Sequence, residues 1–268
     1  MNLDETQRAA QAQFDRQAAS YGSTHILNDV SDVESALHGF AASELDPALD
    51  IATGAGHTAV HLAGRGLDVT AADVSAAMLE QTERLASERG VRLRTSRHPA
   101  EELPYADGSF GLVTCRVAAH HFSSAPSFLA EAHRVLRPGG WLMVIDGSAP
   151  DDAPEAEEWI HRVEKLRDPS HGRFLTPSQW RAAATAAGFD VTRCECTPFK
   201  QPDVEWYFRT AATSDANRTQ VLDLIENAPE EARRVFHLGR EDGRIVWWWP
   251  RLTLLAQRRE VAKPPVET

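Results

Sequence analysis

The sequence predicts an α/β protein: a doubly wound, mostly parallel sheet of seven strands, with an N-terminal helix and helical insertions. Three observations carry this. Ala48-Leu49-Asp50-Ile51-Ala52 is a short buried strand that breaks at Thr53-Gly54-Ala55-Gly56 and runs into a helix. Apolar strand segments then alternate with helical ones as far as Ile145, which implies parallel pairing through crossovers. Two last strand segments, 189–197 and 251–257, are placed to pair as an antiparallel hairpin at the sheet edge.

Taken in order, Ala9, Ala10, Ala12, Phe14 and Ala18 recur at helical spacing over 5–20, and Tyr21-Gly22-Ser23 ends that helix. The strand at 48–52 is followed by a helix over 57–65. The next strand, 67–72, closes on Asp73, and Ser75 then stands at a helix N-cap ahead of Met78, Leu79 and Leu85. Strands are expected at 91–95, 110–115 and 141–145. The helix near 125–136 stops at Arg137-Pro138-Gly139-Gly140, where proline forbids continuation and glycine lets the chain reverse. Segment 151–173 is charged and has no strand pattern, so it is read as an insertion over the carboxyl edge of the sheet. Thr176-Pro177 opens a helix that Gly188 caps, and 203–240 is mostly helical. No linker divides the chain. One domain is expected over 1–268, with a helical cap (1–45), a ligand-binding core (46–146) and substrate-side insertions with the last strands (147–268).

The chain has 268 residues, 25% of them charged and 42% hydrophobic, an ordinary globular composition. A net charge of −11 speaks against a nucleic-acid partner, which calls for a basic face. The N-terminus lacks a basic, then apolar, leader and no run is long enough for a membrane span, so a cytoplasmic protein is expected. Cys115, Cys194 and Cys196 are read as core or strand residues, and no metal is expected.

The turn at 53–56 needs glycine because its backbone must pass close beneath a ligand. Asp73, at the end of the following strand, is placed to accept both ribose hydroxyl hydrogens. Turn and acid together indicate an adenosine ligand, and Gly54-x-Gly56-x-x-Ala59 leaves NAD and S-adenosylmethionine (SAM) both open.

Leu49-Asp50-x-Ala52-x-Gly54-x-Gly56-His57, then 69–73 with Ser75 and Met78-Leu79, then Ala100-Glu101-Glu102-Leu103-Pro104-Tyr105-x-Asp107-Gly108-Ser109-Phe110, and finally Leu136-Arg137-Pro138-Gly139-Gly140 together resemble the class I SAM-dependent methyltransferases, in the branch of the ubiquinone/menaquinone-biosynthesis C-methyltransferases. The resemblance is close over 48–145. It implies a Rossmann-like seven-stranded sheet and methyl transfer from SAM, leaving S-adenosylhomocysteine.

Carried over residue by residue, it implies that Asp50, Ala52, Thr53, Gly54 and Gly56 hold the amino-acid part of SAM. Asp73, Val74 and Met78 would hold the ribose, and Pro99, Ala100 and Glu101 would face adenine. Arg116 and His121 belong to a segment that lies under the transferable methyl, and Tyr21 and His25 to one that closes over the cofactor, His25 on the acceptor side. Two departures stand out. Ala52 replaces a usual glycine. Pro99 replaces an aspartate that commonly accepts the adenine amino hydrogen, which leaves the Ala100 backbone, apolar packing and His98 or Glu101 to recognise adenine.

His120 and His121 follow strand four at the carboxyl edge, where ligands of open sheets bind. One of them is a candidate general base; the other reading is that both pack or cap without chemistry, transfer proceeding by positioning. His171 is a further candidate base and acceptor contact. Arg167 either contacts the acceptor or braces the loop by pairing with Asp168. Trp206-Tyr207-Phe208 and Trp247-Trp248-Trp249 are expected in core or dimer packing, or in an apolar acceptor pocket. The expected activity is methylation of a small, aromatic or otherwise largely apolar acceptor. An NAD-linked oxidoreductase and a non-catalytic SAM-binding protein are the alternatives.

Overall fold

A computed structural model describes residues 2–18 and 26–260. The main sheet comprises β1 (Ala48–Ile51), β2 (Val69–Asp73), β3 (Arg94–Arg97), β4 (Phe110–Arg116), β5 (Leu136–Gly147), β6 (Phe189–Lys200) and β9 (Trp248–Arg258). Their spatial order is β3-β2-β1-β4-β5-β9-β6. The pairings from β3 to β5 are parallel, and β9 runs antiparallel to β5 and to β6. The sheet is therefore Rossmann-like, with the expected antiparallel pair at its edge. The chain steps outward from β1 to β3 and returns on the other side of β1 as β4. That reversal opens a crevice at the carboxyl ends of β1 and β4.

The two-residue period of a strand divides the sheet side chains between two cores. Leu49, Ile51, Val113, Cys115, Leu142 and Val144 face Phe128 and Leu129 of α6 (Ala125–Val135) and Trp180 of α8 (Pro177–Ala186). Ala48, Ala71, Leu112, Met143 and Ile145 face Val33 of α2 (Ser31–Ala36) and Ala59 and Leu62 of α4 (His57–Gly64). Both faces are covered, which is why the strands read as apolar runs. Each fully buried Leu or Ile contributes about 1.5–3 kcal/mol.

Asp4 caps α1 (Glu5–Gln17) reciprocally with Gln7, and Ser75 caps α5 (Ala76–Glu88) through the Met78 N–H. The insertion after β5 is helical: the charged segment forms α7 (Pro154–Arg167), whose inner face packs with α9 (Val204–Ala211), α10 (Asp215–Glu226) and α11 (Glu230–Val235). Trp159, Tyr207, Phe208, Phe236 and Trp247 make this a further core.

Several boundaries differ from the expectation. The strand expected at 91–95 is β3, which starts later, because Gly90 (φ +67) ends α5 and Val91 donates its N–H back to Ala86 at 3.0 Å and packs on Leu85. β5 starts at Leu136, which pairs with Phe110, and Arg137 to Gly140 bulge out of the ladder before Trp141 pairs with Leu112. A hairpin of β7 (Gly239–Glu241) and β8 (Arg244–Val246) follows the helices, turning at Asp242-Gly243, both at positive φ. Two short helices, α2 and α3 (Ala42–Leu45), precede β1. Cys194 and Cys196 lie on β6 and Cys115 on β4. No helix among the described residues is long and apolar enough to cross a membrane.

Candidate active site: two clefts that meet at His121

Beyond β1 the backbone turns through Ala52 (φ +52), Gly54 (φ +57) and Gly56 (φ +86). Gly56 is the N-cap of α4, and a Cβ there would stand 2.7 Å from Thr82 Cγ2 on α5. The Thr82 hydroxyl donates to the Gly54 carbonyl at 2.8 Å, tying the turn to α5. Below the turn, Asp50 accepts from the hydroxyls of Thr53 and Thr114, 2.6 Å each. Asp73 accepts from the Gly54 and Ser75 N–H groups at 2.9 Å. Burial pushes both carboxyls up to about 6.

The first cleft encloses about 890 Å³, counting space open to solvent. Ala52, Thr53, Gly54, Asp73, Val74, Met78, Pro99, Ala100, Glu101, Arg116 and His121 all line it. The structure thus brings together most of the residues the sequence singled out. Asp50, 1% exposed, and Gly56 lie beneath and shape the turn without lining the cleft. Tyr21 and His25 lie outside the described residues. Sequence reading missed the wall that α1 supplies through Gln7, Ala10 and Phe14, and also His57 and Thr58 at the start of α4. The Ala10–Phe14 stripe of an amphipathic helix was the available signal.

Two side chains expected near adenine have other partners. His98 Nδ1–H donates to the Pro99 carbonyl, so Nε2 accepts from the Tyr105 hydroxyl, each at 2.9 Å. Glu101 accepts from Gln7 Nε2 at 2.9 Å and from the Ser123 N–H at 2.8 Å, clamping α1 to the loop after β4. Arg116, 4% exposed, spends its guanidinium on Asp32 (2.9 Å) and on the Leu27 (2.8 Å) and Asp29 carbonyls.

Next to Arg116, Val117 has φ +54, rare for a β-branched residue, and marks where a second cleft opens. This cleft, about 630 Å³ with its open part, shares Phe14, Leu27, Val117 and His121 with the first. Phe199, Trp206, Trp249, Arg167, Arg251 and His120 also line it, with polar Gln17, Asp168, Gln201 and Thr210 among the rest. The aromatic triplets are therefore divided: Tyr207, Phe208 and Trp247 are core, whereas Trp206 and Trp249 face the cleft.

Arg167 pairs with Glu164 at 3.1 Å and lies 4.4 Å over the Tyr207 ring. The expected Arg167–Asp168 brace gives way to this helical pair, because Asp168 instead accepts from the Ser170 N–H (2.9 Å) and hydroxyl (2.6 Å). Arg251 pairs with Asp32 at 3.3 Å, its guanidinium 3.5 Å over the Phe199 ring.

The three candidate histidines sit differently. His120 lines the second cleft; burial would lower its pKa, but the Asp146 charge and hydrogen bond outweigh that and raise it. His121 touches both clefts, donates from Nδ1 to the Ser170 carbonyl at 3.2 Å, and is lowered to about 4 by burial and then by His120. His171 is 1% exposed, lines neither cleft and packs on Phe174 at 4.7 Å. Burial drives its imidazole strongly towards the neutral form.

An open sheet with this strand order carries a glycine turn and an acid at its switch point, the arrangement of an α/β protein that binds an adenosine ligand. The chain belongs to the class I SAM-dependent methyltransferases. A methyltransferase-domain model matches residues 49–144. The uncharacterized methyltransferase YcgJ of Bacillus subtilis (strain 168) is 34% identical over 189 residues, 70% of this chain and 74% of that one. The YcgJ crystal structure superposes with a TM-score of 0.78 at 28% identity, covering 88% of this chain and 100% of the other. The YafE protein of Escherichia coli (strain K12) is 40% identical over 174 residues, 65% of this chain and 83% of YafE. A demethylmenaquinone methyltransferase of Beutenbergia cavernae is 34% identical over 159 residues, 57% of this chain and 63% of that enzyme.

Proposed function

We propose that the first cleft holds SAM and the second a small, aromatic or otherwise largely apolar acceptor, so that the chain methylates that acceptor. The observation that carries this is the shared wall of Phe14, Leu27, Val117 and His121, which joins the two clefts. The residues present fit SAM. The Asp73 carboxylate has acceptor capacity beyond its two backbone donors for ribose hydroxyls, and the turn at Gly54 leaves open space beside the backbone. Arg116, the only arginine lining this cleft among the described residues, is neutralised by Asp32, which suits a cationic sulfonium. When bound, SAM supplies an electrophilic methyl group.

The protein's own part is positional. Asp73 fixes the ribose, the turn fixes the amino-acid end, and α1, clamped through Gln7 and Glu101, excludes water over the join. In the second cleft Trp206, Trp249 and Phe199 support a flat acceptor, and the name of the demethylmenaquinone methyltransferase relative agrees with an apolar one.

Calorimetric titration with SAM, S-adenosylhomocysteine and NAD tests this reading. Micromolar binding of the first two without NAD is expected, and NAD binding alone would overturn it. SAM binding with no methylation across an aromatic acceptor panel would instead favour a non-catalytic SAM-binding protein.

A further inference from the structure

Asp146 ends β5 with a side chain 2% exposed, and both of its oxygens are committed. Oδ1 accepts from His120 Nδ1–H at 2.7 Å and from the Gly147 N–H at 2.8 Å; Oδ2 accepts from the His120 backbone N–H at 2.9 Å. A carboxylate can only accept, so Nδ1 carries the hydrogen and Nε2 of a neutral ring keeps its lone pair. The ring packs on Phe174 at 5.0 Å and on His171 at 5.4 Å, which holds its plane. His120 lines the second cleft and not the first.

We propose that His120 Nε2, held by Asp146 as a positioning residue, removes the proton from the hydroxyl of a phenol bound among the aromatic side chains of the second cleft, making the reaction an O-methylation. This rests on the assignment of SAM to the first cleft.

The groups around His120 are Asp146 from β5, His121 beside it, Glu164 and Arg167 from α7, Asp168 and His171 from the loop beyond, and Arg251 from β9 in the same cleft. Against burial, Asp146, Glu164 and Asp168 favour an imidazolium there, while His121 is held low by burial and by His120 itself, so His120 takes up a proton more readily than His121 does. An imidazole takes the proton of a phenol, whose pKa is about 10, far more readily than that of an aliphatic alcohol. A thioether acceptor, which has no proton to lose, would need no base in this position.

In the step, the phenol O–H bond breaks, its proton going to His120 Nε2 and its electron pair staying on oxygen. Oxygen bonds the methyl carbon as the carbon–sulfur bond breaks and that pair passes to sulfur. The imidazolium, paired with Asp146, then loses its proton to water.

The test uses the full chain, with 2-naphthol as the phenol and 2-methoxynaphthalene as its capped analogue. Nitrogen-15 NMR of the imidazoles should show His120 as the Nδ1–H tautomer, titrating above an ordinary histidine. Asp146→Asn should move that midpoint down by a unit or more and shift the acid limb of the kcat profile the same way. His120→Gln should lower kcat on 2-naphthol about 10²–10⁴-fold with KM little changed. Asp146→Glu, which keeps the carboxylate, should restore the profile in part and serves if the Asn variant folds poorly.

Binding of SAM together with an Nε2–H tautomer in the wild type, an unmoved pH profile in Asp146→Asn, or equal binding of 2-naphthol and its capped analogue without turnover would each overturn the dyad while leaving the cofactor assignment standing. Failure of SAM to bind the wild type would overturn the assignment on which it rests.

Discussion

Thr82 occupies the space that a Cβ on Gly56 would need: its Cγ2 lies 2.7 Å from that position, and its own Cα only 3.0 Å. Gly56 also has φ +86. Gly56→Ala therefore combines a left-handed penalty of about 1–2 kcal/mol with overpacking of about 1–3 kcal/mol. Denaturant unfolding should show a loss of about 2–5 kcal/mol, and calorimetry a weakened SAM site, because the turn moves with Thr82. Thr82→Ala in the same chain should recover only the overpacking share.

Ala52 shows the opposite balance. Its φ of +52 costs about 1 kcal/mol in the native chain, and glycine would give back a similar amount as unfolded-state entropy. Ala52→Gly should therefore leave stability within about 0.5 kcal/mol of wild type and SAM affinity unchanged. A clear stability change in either direction in urea titration would show that the turn is held otherwise.

Asp73 should be the more sensitive carboxylate for binding. Losing its charge-assisted bonds to ribose in Asp73→Ala should weaken SAM by about 1.5–3 kcal/mol, roughly ten- to hundredfold. Asp50→Asn should act on folding more than on the cofactor, since Asp50 is buried and bonds the Thr53 and Thr114 hydroxyls beneath the turn.

Both carboxyls also set a pH dependence. Each rises from 3.8 to about 6 through burial, so between those values the folded chain holds protons that the unfolded chain has released. Stability from these groups is full below 3.8 and is lost as pH rises through about 6, at most about 3 kcal/mol for each group. SAM binding to ionised Asp73 should run the other way. The rise in Tm on adding SAM should be larger at pH 7.5 than at pH 5, and an equal rise would remove Asp73 from the site.

Arg116 joins the sheet to the segment before α2. Arg116→Ala removes the 2.9 Å pair with Asp32 and the bonds to Leu27 and Asp29 carbonyls. Asp32 keeps Arg251, so the cost should fall at the low end for a broken buried pair, about 3 kcal/mol by thermal or urea unfolding. Hydrogen exchange should accelerate at 26–32.

Much of the fold was legible because its signals are local. Seven apolar segments, Ser75 and Thr176 as caps, and Gly188 after a helix place the elements within a few residues. The Asp242-Gly243 turn was equally readable, yet the β7–β8 hairpin it makes lies mostly beyond the stretch read as helical, 203–240, where no element was read. The start of β3 was not readable from alternation at 91–95, since Val91 belongs to the end of α5 through the Ala86 carbonyl.

By itself the sequence determined the strand, glycine turn, helix and closing acid that build the first cleft, because 50–56 and 69–73 are short stretches whose conformation follows from residue type and spacing. Only the tertiary structure decided that Asp50 lies under the turn while Asp73 lines the first cleft, that Arg167 pairs with Glu164 rather than Asp168, and that Trp206 and Trp249, packed on the edge of the core, also line the second cleft. It alone also separated His120, set against Asp146, from buried His171. His120 and Asp146 meet across 26 positions, and nothing in local periodicity records which face of one element comes to rest against another.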